Sequence, residues 1–126
     1  MVRLDVGFVV AAIAYAIVGI ALGIWMGINQ DFVPRHIHAH INLLGWTSLG
    51  LYGLVHRAWP QLRLHPLARV QFWTAMVGTP IFLIGLPLAM FREQPIGAIV
   101  GSLLVLLAAL MFGFMFWRNA AAKEAS

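Results

Sequence analysis

Four long apolar runs, at about 6–28, 36–57, 67–91 and 95–117, are separated by short connectors carrying arginine, proline and glutamine. Each run supplies roughly the 20 apolar residues that an α-helix needs to cross a hydrocarbon core. The pattern predicts an all-α integral membrane protein. Its four transmembrane helices form one bundle, a single domain over residues 1–126. Outside the runs only turns and a polar tail at 119–126 are left, so no separate soluble domain is expected. The first run follows Arg3, but it is too long for a signal-peptide core and lacks a cleavage pattern, so it is read as a span.

Composition narrows the class. The chain is 62% hydrophobic and 10% charged, which excludes an ordinary soluble domain. With no cysteine, disulfides, thiolate metal sites, thioether-attached haem and cysteine-held iron–sulfur clusters are excluded. The net charge of +4 points to no nucleic-acid partner, because the basic residues sit between spans as anchors. Arg3, Arg57, Arg63, Arg69, Arg118 and Lys123 fall on one side, and only Arg35 and Arg92 on the other. The positive-inside rule then places both termini and the middle connector in the cytoplasm. In a bacterial inner membrane the start of the second span would face the periplasm. Trp25, Trp59, Trp73 and Trp117 fall near span ends, as interfacial anchors do.

Two features concern packing. Gly19, Gly23 and Gly27 recur every four residues and offer a flat stripe to another helix, of this chain or of another copy. Pro80 and Pro87, with Gly78 and Gly85, are expected to bend the third span.

The candidate chemistry lies at the start of the second span. Three of the five histidines, His36, His38 and His40, fall within five positions of an apolar helix, where ionisable groups are costly and usually meet a partner, a cavity or a bound group. At 100° per residue His36 and His40 share a face, and His38 points nearly the opposite way. Asn42, one turn from His38, is placed to orient a ligand or a water. Gly45 and Gly50 thin the helix, so that with Trp46 and Phe82 they could line an apolar slot for a flat group. Arg35 is placed either to pair with an acidic group of such a ligand or to anchor the interface. Imidazole suits iron, copper or zinc. The plainer reading is three hydrated interfacial histidines. For His56, beside Arg57, and His65, before Pro66, an interfacial or solvent position is expected.

The stretch His38-Ala39-His40-Ile41-Asn42-Leu43-Leu44-Gly45-Trp46 resembles the His-X-His helix of the haem–copper oxidase superfamily, most closely that of the nitric-oxide reductase catalytic subunit. The whole chain, with Leu51-Tyr52-Gly53-Leu54 at the helix end, looks like the small four-span proteins described as cytochrome oxidase subunit I-like. The resemblance implies one four-helix arc of an oxidase subunit I. It also implies haem b held by the motif histidines, with His38 matching the active-site haem ligand and His40 the low-spin haem ligand. Oxidase subunits have about twelve helices in three arcs, so the resemblance further implies that three copies rebuild the plan as a homotrimer.

Three functions are therefore expected in order. The first is a haem-binding membrane protein, oxidoreductase-like, for electron transfer or for binding NO or O2, with a redox partner or oxidase subunits. The second is a copper or other metal site of His36, His38 and His40, aided by Met26. The third is a non-catalytic assembly subunit. A single protomer lacks a recognisable complete catalytic centre.

Overall fold

The computed structural model describes residues 3–125. Helix α1 (Leu4–Asn29) stops where Gln30 adopts a left-handed conformation, φ 49°, with its N–H on the Met26 carbonyl. The Asp31 carboxylate accepts the Val33 N–H at 3.0 Å and turns the chain into Pro34. The second segment then departs from expectation. In place of one α-helix it is α2 (Arg35–His40), a π-helical stretch Ile41–Ser48 and α3 (Leu49–Ala58), joined without a break. Within the π-helical stretch the Ser48 hydroxyl donates to the Leu43 carbonyl, five residues back, at 2.8 Å.

A short 3-10 turn (Pro60–Leu64) leads into α4 (Ala68–Arg92), which runs unbroken through Pro80 and Pro87. Glu93, again left-handed at φ 54°, ends it, and α5 (Ile96–Ala125) returns. The Lys123 side chain lies outside the described residues.

Small residues decide how the helices approach. The second segment runs antiparallel to α1: His38 lies on Gly23, Asn42 on Gly19, Tyr15 on Gly45, and Val9 on Gly53. The glycine stripe of α1 thus meets this chain's own second segment, except at Gly27, which faces open space. In the α4–α5 hairpin, Gly85 meets the backbone of Gly97 and Ala98, and Gly101 meets the backbone of Phe82. The main core gathers Phe8, Leu49, Leu62, Phe72, Ala108 and Met115. A smaller cluster of Ile41, Phe82 and Leu83 lies nearer the histidines.

The outside of the bundle is as apolar as the inside, with Ile28 at 76% and Leu110 at 62% exposure. Three helices, Leu4–Asn29, Ala68–Arg92 and Ile96–Ala120, are long and apolar enough to cross a membrane, as expected of a membrane protein. The second segment, expected as the fourth, is not among them. Its uniform α geometry is interrupted, and its first turns carry Arg35 and three histidines.

Candidate functional site

Each histidine of the cluster has a different neighbour. His38 turns toward α1, with Nδ1 2.9 Å from the Gly19 carbonyl oxygen. A Cβ on Gly23 would stand 2.9 Å from its Cε1, so the ring needs a glycine there. The Asn42 amide donates to the His38 carbonyl at 3.1 Å, and its nitrogen stands 3.4 Å from His38 Nε2. Both sides of this imidazole are therefore occupied by α1 and by Asn42.

His40 turns the other way, toward α4, with its ring centroid 5.3 Å from that of Phe82. Its Nδ1 is 2.6 Å from the His36 carbonyl oxygen. A carbonyl only accepts, so the proton of a neutral His40 sits on Nδ1 and the lone pair on Nε2. This is the orientation in which a histidine presents Nε2 to a metal, the other nitrogen being held by a backbone carbonyl. Half-buried, His40 makes no hydrogen bond through Nε2 among the described residues.

The other expected residues do not complete a cavity around these rings. His36 is exposed, and Arg35 folds back so that Nη1 donates to the Phe32 carbonyl at 3.2 Å. The slot expected at Gly45 and Gly50 is filled within the chain. Tyr15 stands against Gly45, and the Ala12 methyl would be 3.7 Å from a Cβ on Gly50. The small residues that thin one helix let α1 close on it. Trp46, 45% exposed, lies in a shallow groove of about 400 Å³ with Asn42, Ile13 and Ile17. The expected metal cluster does not converge: among the described residues no three His, Asp or Glu side chains come together to hold an ion. Successive alternate positions on a helix diverge, which is why one chain's His36, His38 and His40 share no point.

A second polar centre, unforeseen from the sequence, lies at the other end. His56, expected at the interface, is fully buried, stacked on Phe8 with centroids 5.7 Å apart and edge-on to Phe112. Both its ring nitrogens and both polar atoms of buried Gln71 are without hydrogen-bond partners among the described residues. Asp5 is buried as well. Its Oδ1 meets Arg3 Nε at 3.2 Å and Arg63 Nη1 at 3.0 Å; its Oδ2 meets Arg3 Nη2 at 2.9 Å and Arg57 Nη1 at 3.2 Å. That hydrogen bond and the carboxylate charge raise the Arg3 guanidinium above its ordinary range. The available signal was the isolated polar residue inside an apolar run: Asp5 next to the first, Gln71 within the third. His65 stays in the connector, where its Nδ1 accepts the Leu67 N–H at 3.1 Å.

The orphaned atoms make a specific expectation. Buried polar atoms without partners cost about 1–3 kcal/mol each. Replacing the pair by the apolar residues of His56→Phe/Gln71→Leu is therefore expected to raise the thermal midpoint in detergent, read by circular dichroism. His56→Ala, which opens a cavity beside Phe8, is expected to lower it. A lowered midpoint in the double variant would show that the polar pair is satisfied and stabilising.

Compared with known family models, curated proteins and solved structures, the chain matches none.

Proposed function

We propose that the chain is a haem b-binding, four-span membrane protein of the haem–copper oxidase type, in which His40 would hold the haem iron. The observation that carries this reading is the His40 ring. It is fixed by its Nδ1 contact with the His36 carbonyl and by Phe82, with Nε2 unengaged. His38 fits a ligand role less well, because Asn42 and Gly23 cover its ring; it holds α2 against α1 and so fixes the direction of His40. Haem, when bound, supplies one-electron transfer or a site for a diatomic gas. Within one protomer no closed slot surrounds the His40 ring, so a second wall comes from another copy, as in a homotrimer. Arg35, at the rim, is available to a propionate. A copper site fits the residues poorly, since their nitrogens point apart.

The second segment is the fourth span in this reading, since it follows α1 from Gly23 down to Asp5. Arg3, Arg57 and Arg63 meet at one end of the bundle, and His36, His38 and His40 lie at the other. The positive-inside rule places the arginine end in the cytoplasm and the histidines toward the periplasm of an inner membrane.

The test is an optical spectrum of detergent-purified protein, oxidised and then reduced, with iron, copper and particle mass measured on the same sample. A Soret band that shifts on reduction, stoichiometric iron and the mass of an oligomer are expected. Absence of haem after expression with ample supply would overturn the reading, and haem held by a stable monomer would overturn the assembly.

A further inference from the structure

We propose that the groove between the start of α1 and the 3-10 turn binds the phosphate headgroup of an anionic phospholipid. This inference does not depend on haem. The groove measures about 890 Å³ and is lined by Arg3, Arg63, Arg69, Gln61, Pro60 and Leu64. Its charge is unbalanced. A carboxylate offers about four lone-pair sites, and Asp5 meets four guanidinium nitrogens from Arg3, Arg57 and Arg63. It has no capacity left, while three guanidinium charges share its single negative charge. Most of their N–H donors remain unspent. Arg69 adds a further cation that makes no ion pair among the described residues.

Asp5, with its side chain only 1% exposed, holds Arg3 and Arg63 in place from beneath, so two of the cations are pre-organised. Guanidinium groups fixed in this way suit a phosphate, which they bind through paired N–H donors. The lining also separates a lipid from a free anion. Leu64 is 85% exposed beside the arginines, and Pro60 flanks it. Inorganic phosphate would leave that apolar surface in water, whereas a phospholipid covers it with its glycerol and upper acyl chain. The groove sits at the end of helices apolar enough to cross a membrane, at the level where headgroups lie.

The full-length protein, reconstituted in vesicles of equimolar phosphatidylglycerol and phosphatidylcholine, is extracted in mild detergent and its retained lipid measured by native mass spectrometry. Phosphatidylglycerol is expected to be retained several-fold over phosphatidylcholine. Arg69→Gln, which touches none of the Asp5 contacts, is expected to reduce the preference about five-fold, the contribution of one basic residue near an anionic surface. Leu64→Gln, which changes no charge, is expected to reduce total retention. Arg92→Gln, at the opposite end of α4, is expected to have no effect. Equal retention of the two lipids would overturn the proposal. So would equal losses in Arg69→Gln and Arg92→Gln, or full displacement of the lipid by inorganic phosphate, which would mark a site for a free anion.

Discussion

Gly85→Ala and Gly101→Ala are each expected to destabilise the bundle by about 3 kcal/mol or more, toward the upper end of overpacking costs. A Cβ on Gly85 would fall into the backbone of Gly97 and Ala98, with the Gly97 Cα 3.0 Å away. A Cβ on Gly101 would fall into the backbone of Phe82, with the Phe82 Cβ 2.7 Å away. Backbone cannot rotate aside as a side chain can, so α4 and α5 would have to separate along their whole contact. Between membrane helices, close packing of small residues replaces the hydrophobic drive that holds helices together in water. Gly27 and Gly113 provide the control, because nothing lies within 4 Å of a Cβ at either position. There alanine removes only the conformational cost of glycine, and a gain of about 0.5–1 kcal/mol is expected. Thermal unfolding in one detergent, followed by circular dichroism, separates the two pairs. If Gly85→Ala behaved like Gly113→Ala, the close α4–α5 approach would be wrong.

The glycines also show what could be read from the sequence. Apolar runs located three membrane-length helices: 6–28 became Leu4–Asn29, 67–91 became Ala68–Arg92, and 95–117 became Ile96–Ala125, which runs eight residues further. Run length depends on local composition alone. The opposite directions of His38 and His40 were also legible, since they follow from helical geometry within two residues. The π-helical stretch was not. It lies where Tyr15 of α1 packs onto Gly45, and a contact between distant segments has no trace in a local pattern. His56 was misjudged for the same reason. Its neighbour Arg57 and its place near a span end point to an interface, but Phe8 of α1 and Phe112 of α5 close over it. Which side of a helix faces inward is decided by its partners when both sides are apolar. In a chain this hydrophobic, periodicity loses the contrast on which burial is read.

If the protein binds haem as proposed, His40→Ala is expected to abolish the Soret band while leaving the helical content unchanged. The substitution removes a half-buried ring that contacts the His36 carbonyl and Phe82, and alanine favours the helix. A carbonyl left facing the end of the bundle can be hydrated, so the fold loses little. Binding, by contrast, loses its ligand. His38→Ala is expected to do the reverse. It leaves the Gly19 carbonyl without its imidazole partner and Asn42 without the ring it lies on. A stability loss of about 0.5–1.5 kcal/mol, the net worth of one hydrogen bond, follows, with the haem band weakened only as far as α2 shifts. His65→Ala, in the connector, is expected to alter neither. Imidazole added to His40→Ala tests the assignment further, since a free ligand can occupy the space left by the ring and restore the band without changing the fold. Recovery in His40→Ala, with none in His38→Ala, would separate a ligand from a residue that positions it. An undiminished spectrum in His40→Ala would remove this imidazole from the site, and equal losses in all three variants would reduce the histidines to structural groups.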